Sequence, residues 1–405
     1  MSLPTVQLAL RPGIIDLGWG HPDPALLPVD GMRRAAAAAL ASQGADALAY
    51  GAERGPAALL EWLRGRIAAT DGRAPAVEEV AVTGGASHAL DQICTLWTRP
   101  GDVALVESPV YHLAVRILRE HPLELMPVPR DHGGLRLDAL AEAIRAARRA
   151  GRRPRLLYTV PTFHNPTGGS LAPERRRALV ELCAAEEVLI IEDDVYRDLA
   201  YDGPPPPSLW SLDTGGAVAR LGSFSKALAP GLRLGWLSGP APLVARMVTG
   251  GLLDSGGGIN HFTAIVVATL CAAGDFDAQV ARLRAAYRAR RDALAAALRA
   301  HLPPGCTMET PAGGFFVWVQ LPGGIDAAAL LPAAEAGGVS YLPGARFAVN
   351  QAGSGPTDGT AALRLAFTLY GETDLREAAR RLGHVVADAP RRAGSAPGMR
   401  QGDPT

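Results

Sequence analysis

The chain is short of lysine. Among 405 residues Lys occurs once, at position 226, so 39 of the 40 basic residues are Arg. An excess of either charge is missing as well: 40 Lys+Arg face 40 Asp+Glu, for a formal net charge of +0. A general nucleic-acid binder needs a basic surplus, so that class is set aside. Cysteine is scarce. Cys94, Cys183, Cys271 and Cys306 form no C-x-x-C, which argues against a disulfide frame or a zinc site. His112, His164 and His261 show no H-E-x-x-H or paired metal spacing, and no metal is expected. No apolar run is long enough to span a bilayer; the longest candidate, Phe262 to Ala273, reads as a buried helix. The first residues, Met1 to Pro12, lack the basic stretch and apolar run of a signal peptide. A reducing cytoplasm is the expected home, with no membrane and no nucleic acid as partner.

What is present is the balance of a globular protein, 48% hydrophobic and 20% charged, long enough for two lobes. An Arg-, Ala-, Gly- and Pro-rich chain reflects a composition bias that replaces Lys wherever a surface charge suffices. The surviving lysine is expected where Arg cannot serve. An amine can lose its proton and become a nucleophile, whereas guanidinium stays charged.

Residues 1–30 are rich in Pro and Gly and read as an arm lying over another part of the molecule. Helices are expected over Gly31–Ala47 and Ala57–Ala69. Seven strands then follow, at Glu79–Thr83, Val103–Glu107, Leu123–Val128, Arg155–Val160, Val188–Asp193, Val218–Gly222 and Arg233–Ser238. Helical stretches at Ser87–Thr98, Leu137–Ala150 and Pro173–Glu186 alternate with them. That alternation predicts a mostly parallel sheet with helices on both faces. A long helix over Ala278–Leu302 leads to strands at Phe315–Leu321, Val339–Leu342 and Leu363–Thr368 and a helix at Glu372–Leu382, a smaller α+β lobe. The expected division is 1–47 as arm and part of the small domain, 48–290 as large domain, 291–386 as small domain, and 387–405 as a disordered tail. Pro204–Pro207 reads as a stiff loop.

Lys226 lies in Gly222-Ser223-Phe224-Ser225-Lys226, just past an apolar strand, and Arg233 follows seven residues later. Ser223 and Ser225 can donate hydrogen bonds to a phosphate, and Arg233 can hold one bidentately. Lys226 can form an imine with an aldehyde and then carry a proton. A polar loop with a solvated lysine leaves this clustering unexplained.

This segment resembles the lysine motif of fold-type I pyridoxal 5′-phosphate (PLP) aminotransferases of class I/II. It is similar above all to the 2-aminoadipate/kynurenine branch, over about residues 14–385. The resemblance implies PLP as cofactor, Lys226 as Schiff-base lysine, and the α/β fold-type I architecture: a large domain with a mostly parallel seven-stranded sheet, and a smaller α+β domain built from the arm and the C-terminal part. In Glu192-Asp193-Asp194-Val195-Tyr196 it selects Asp193 as partner of the pyridine nitrogen and Tyr196 as partner of the ring's phenolic oxygen. A carboxylate there keeps the pyridinium protonated, so that the ring absorbs carbanion charge. Asn165, in His164-Asn165-Pro166-Thr167-Gly168, matches the family's N-P-T-G and implies a second bond to the phenolic oxygen. His164 itself reads as a satisfied loop histidine.

Gly84-Gly85-Ala86-Ser87 runs from a strand into a helix, where backbone amides suit a phosphate. Gly85, Ala86 and Ser87 match the family's phosphate cup, although Ala86 lacks the hydroxyl often found there. Tyr111 matches the aromatic residue that stacks on the cofactor. Tyr50 matches the tyrosine that reaches the neighbouring subunit's phosphate, which implies a homodimer with shared active sites. Arg364 matches the arginine that holds the substrate α-carboxylate. Gly20 lies in an arm similar to the one that closes over substrate, flanked by Trp19 and His21. Arg11 is the arm's one candidate to meet an acidic side chain.

The expected activity is transamination between an amino acid and a 2-oxo acid, with Lys226 moving the proton of the substrate's Cα. The alternative is another PLP reaction on the same fold: β-lyase, decarboxylase, or oxygen-dependent oxidase or hydroxylase. PLP-sensing transcription regulators share this lobe after a DNA-binding domain; here the fold motifs begin by about Ile14, and an enzyme is the expectation. A dead binding scaffold does not suit a chain that keeps Lys226, Asp193 and Arg233.

Overall fold

The computed structural model describes residues 10–349 and 359–389. The tail expected to be disordered lies outside the described residues from position 390 onward, as do the first nine residues.

The large sheet runs in the order Val80–Thr83, Gly235–Ser238, Val218–Ser223, Leu189–Asp193, Pro154–Thr159, Val103–Ser108, Glu124–Asp131, Gly134–Leu135. All seven strands expected from the sequence are there. The eighth, Gly134–Leu135, is a two-residue antiparallel edge piece too short to leave a periodic signal. Neighbours from Val218–Ser223 through Glu124–Asp131 pair in parallel, and Gly235–Ser238 is antiparallel to both of its neighbours. The four inner parallel strands are buried along nearly their whole length, as helices on both faces require, while Glu124–Asp131 towards the edge is mostly half-buried. Their C-terminal ends Ser108, Thr159, Asp193 and Ser223 share one edge. The chain leaves Val103–Ser108 towards one side of the sheet, to Glu124–Asp131, and returns on the other, to Pro154–Thr159. Such a reversal opens a crevice at the strands' carboxyl ends.

A second, antiparallel sheet joins Thr307–Met308, Phe316–Gln320, Ala362–Ala366 and Leu342–Pro343. Arg364 sits in its interior, opposite Trp318 on one side and Leu342 on the other. The expected strand Val339–Leu342 is two pieces. Val339–Ser340 pairs with Ile15–Asp16 of the arm, and Leu342–Pro343 joins the small sheet. The arm is thereby tied to this lobe, and Ala366 N donating to Leu17 O at 2.7 Å adds a further bond.

The long helix spans Asp275–His301 without a break and packs against Glu372–Ala387. The first expected helix ends earlier than periodicity suggests, at Gln43, because Gly44 turns the chain with a positive φ of 55°. The strand placed at Arg233–Ser238 starts only at Gly235, since Arg233 takes the left-handed conformation at φ 48°. Helix His261–Ala272 is the buried apolar segment expected near Phe262. No single helix among the described residues is long and apolar enough to cross a membrane.

Candidate active site

Four strand ends and the arm converge on Lys226. Its Nζ donates to Gly20 O at 3.3 Å and lies 5.3 Å from the centre of the Phe315 ring. Burial, together with the neighbouring Arg364, pushes its amine down to about 8, against an ordinary 10.5. Gly20 lies tight against Phe316: a Cβ there would stand 2.7 Å from its ring, so a larger residue would have to displace one of the two.

Asp193 ends its strand buried, at 8% exposure. Tyr158 Oη donates to Asp193 Oδ2 at 2.6 Å, while Asp193 Oδ1 is buried with no partner. Burial pushes this carboxyl up to about 6, and the Tyr158 bond opposes the rise. Tyr158 was not singled out in the sequence. The signal was its register: it pairs with Ile191, two residues before Asp193, so its side chain points to the same face.

Asn165 Oδ1 accepts from Arg364 Nη1 at 2.9 Å, and the Asn165 side chain also bonds Tyr196. Arg364 Nη2 donates to Gly18 O at 2.7 Å, and its Nε has no partner. The guanidinium lies 4.0 Å from the Phe316 ring centre and 4.9 Å from that of Phe347. Burial lowers it to about 10, and no carboxylate pairs with it among the described residues. Tyr111, at the start of helix His112–Arg119, is pushed up to about 12 by burial and then by Asp193, so it stays a neutral phenol.

The adjoining end of the crevice combines a helix start with the side chains of Arg233, Ser223 and Ser225. Helix Ala86–Trp97 starts at Gly85 with no side-chain cap, leaving its first amides open near Ser87. Gly85 has φ +90°, and a Cβ there would stand 2.9 Å from Arg233 Nη2. Arg233 Nη1 donates to Ser225 Oγ at 3.3 Å and Nη2 to Gly84 O at 3.4 Å; Ser225 N donates to Ser223 Oγ at 3.1 Å. No carboxylate pairs with Arg233 among the described residues.

Sequence profile comparison decides the family: the aminotransferase class I and II profile matches residues 12–382. The chain belongs to that family. It is a PLP-dependent aminotransferase, acting between an amino acid and a 2-oxo acid. The aromatic-amino-acid aminotransferase 1 of Thermococcus litoralis is 32% identical over 388 residues, 95% of this chain and 90% of that one. The 2-aminoadipate transaminase of Thermus thermophilus is 32% identical over 386 residues, 94% and 92% of the two chains. Among solved structures, a kynurenine aminotransferase from Pyrococcus horikoshii in complex with PMP, KYN and KYA superposes with a TM-score of 0.86 at 32% identity, covering 93% of this chain and 91% of that one.

Within the aminotransferase, then, Lys226, Asp193, Tyr196, Asn165, Arg364, Gly20 and Tyr111 are drawn together, and Arg233, Ser223, Ser225, Gly85, Ala86 and Ser87 lie at the adjoining end. Tyr50 stands apart, 86% exposed, and none of the bonds above involves it. Arg11 is taken: it pairs with Asp16 at 2.6 Å and Glu335 at 2.8 Å. The residues fit PLP on the structure's own terms. The unpartnered Asp193 Oδ1 lacks the donor that a protonated ring nitrogen supplies. The uncapped helix and the carboxylate-free Arg233 lack the anion that a phosphate supplies.

Proposed function

We propose that Lys226 is the covalent and proton-carrying residue of the transamination, and that each neighbour has one task. Asp193 Oδ1 would hold the pyridine nitrogen, and Tyr158 keeps the other carboxylate oxygen occupied so that only Oδ1 is offered. Asn165 and Tyr196 would hold the phenolic oxygen, and Tyr111 would cover the ring. Arg233, Ser223, Ser225 and the amides of Gly85, Ala86 and Ser87 would hold the phosphate. When bound, PLP supplies an aldehyde for amines and a ring that withdraws electrons from the substrate's Cα.

The chain's own groups do the rest. Arg364 binds the α-carboxylate of the amino acid through Nε and a guanidinium edge, with Asn165 and Gly18 fixing its plane. Phe316 and Phe347 shield that ion pair from water, which strengthens it. Lys226 Nζ, once free of its covalent bond, would accept the proton from Cα and give it up again on the far side of the amino nitrogen. An amine lowered to about 8 suits both halves of that transfer. Gly20 O receives the Nζ proton donor between those steps.

We further propose that substrates are L-amino acids and that the enzyme is a cytoplasmic homodimer in which the exposed Tyr50 serves the partner's phosphate end. Residues 48–290 and 291–386 are proposed as large and small domains hinged within the helix Asp275–His301, with residues 1–47 as arm and part of the small domain.

The observation that carries the site assignment is a single lysine placed between an under-partnered Asp193 and an unpaired Arg364. The test is reductive trapping: incubate with PLP, reduce with borohydride, and map the labelled peptide. With one lysine in the chain, the only competing amine is the amino terminus. Label on the Lys226 peptide is expected. Label confined to the amino terminus would overturn the assignment.

A further inference from the structure

Beneath Asn165 lies a ring of side chains that the reaction above does not use. Glu107 is near the end of the strand Val103–Ser108, Arg130 is on the adjacent strand Glu124–Asp131, and His164 and Thr167 bracket Asn165 and Pro166. Arg130 Nε donates to Glu107 Oε1 at 3.0 Å, and Arg130 Nη1 donates to Thr167 Oγ1 at 2.7 Å. Having accepted from a guanidinium, the Thr167 hydroxyl turns its own proton to His164 Nδ1, 2.9 Å away. The Thr167 backbone N–H, which can only donate, also faces His164 Nδ1 at 3.4 Å, so Nδ1 is the acceptor and the imidazole proton is assigned to Nε2. Nε2 faces Glu107 Oε2 at 3.6 Å, longer than a hydrogen bond, and closes the ring electrostatically. Thr159 Oγ1 donates to the same Oε2 at 2.7 Å, so the ring also grips the end of the strand Pro154–Thr159.

Three features set this ring apart from an ordinary internal ion pair. It spans the point where the strand order reverses, joining the strand that leads to Tyr111 with the loop that carries Asn165. The imidazole is 0% exposed, and burial pushes it down to about 3, so it stays neutral and holds the loop without adding charge beside the cofactor. The loop it holds is strained: Phe163 has φ 50°, a conformation that persists only where the surroundings impose it. His164 supplies that constraint from the backbone too, with His164 N donating to Gly169 O and Gly168 N to His164 O, each at 2.7 Å.

We infer that the Glu107–Arg130–Thr167–His164 ring is a positioning device for Asn165, setting the amide at the place where it meets both Arg364 and the phenolic oxygen of the cofactor. None of the four touches substrate; they act through Asn165. The inference rests on the proposed role of Asn165.

The test compares Thr167→Val, which removes the hydroxyl at nearly constant volume, with Thr167→Ser, which keeps it. An amide donor favours the ionised phenolic oxygen, so loosening Asn165 raises the pH midpoint of the visible band of the PLP-loaded enzyme. In Thr167→Val the midpoint is expected to rise by about half a unit to one unit, and KM for the amino acid to rise about tenfold, the size of one lost hydrogen bond. Thr167→Ser should restore both. An unmoved midpoint and KM in Thr167→Val, or equal damage in Thr167→Ser, would overturn the inference. Nitrogen NMR of the imidazoles in the cofactor-free parent, with His164→Asn used to assign the signal, tests the ring without any variant having to work. The neutral Nε2–H form is expected, and an Nδ1–H form would refute the ring. A parent that forms no visible band with PLP would instead sink the proposed site, leaving the NMR result to judge the ring alone.

Discussion

Asp193 and Asp194 are neighbours in sequence and opposites in structure. Asp194 turns to the far face of the sheet, where Arg220 Nε donates to its Oδ2 at 2.9 Å and Arg197 lies 3.8 Å away. Arg220 and Arg197 share Asp71 on the other side, at 2.7 Å and 2.9 Å. Two guanidinium groups thus meet two carboxylates there. Asp193 faces the crevice, with Lys226 close enough to be felt electrostatically but forming no ion pair with it. On the far face charge is balanced within the chain. On the near face it is left unbalanced, and the imbalance has the shape of a ligand. Exposure does not separate the two, since both aspartates are buried. Nor does hydrogen bonding alone, since Oδ1 of each is buried without a partner; the guanidinium groups that face Asp194, and that Asp193 lacks among the described residues, do separate them.

The largest test of that contrast is Lys226→Arg. It preserves charge but cannot lose it, and half-reaction turnover should fall by about 10⁴-fold, as removal of a nucleophile and proton carrier requires. Next comes the pair itself. Asp193→Asn should lower kcat by about 10²-fold or more while the chain unfolds in urea much as before. Asp194→Asn should do the reverse, costing about 3 kcal/mol of stability with kcat little changed, because it breaks a buried ion pair. If the two variants behaved alike in both assays, the contrast would be empty. Arg364→Met should raise KM for the amino acid by about 100-fold through loss of a shielded charge partner, with PLP binding retained in a spectroscopic titration.

Smaller effects sharpen the picture. Tyr158→Phe frees Asp193 Oδ2 and should lower kcat about tenfold, the scale of one bond to a charged group. The acidity of Lys226 predicts how PLP uptake by the cofactor-free chain depends on pH. Its amine, lowered from 10.5 to about 8, is mostly protonated below that value. Uptake followed by stopped-flow absorbance should therefore slow about tenfold per pH unit below 8 and level off above it. A native value below the unfolded one also means that the folded chain binds fewer protons between about 8 and 10.5, so this group adds stability as pH rises through that window.

Much of this was legible in the sequence because the chemistry sits at strand ends, where short motifs carry it. Lys226, Asp193 and Asn165 each stand in a local string, and the alternation of apolar runs placed those strings on one sheet. Tyr158 and the Glu107–His164 ring escaped because their partners lie on other strands, and strand order is not written in local spacing. The break between Val339–Ser340 and Leu342–Pro343 escaped for a related reason. One apolar run serves two sheets, and only the arm at Ile15–Asp16 explains why. Arg233 was read as the first residue of a strand, yet its φ of 48° puts it in a turn that aims the guanidinium at Gly84 and Ser225.

The most direct measurement is the half-reaction of the PLP-loaded enzyme with single amino acids and no 2-oxo acid. The account predicts that a substrate amino acid bleaches the visible band to the pyridoxamine form and releases one equivalent of its 2-oxo acid, and that Lys226→Arg does neither. A visible band that persists while ammonia, carbon dioxide or oxygen turnover appears would contradict it.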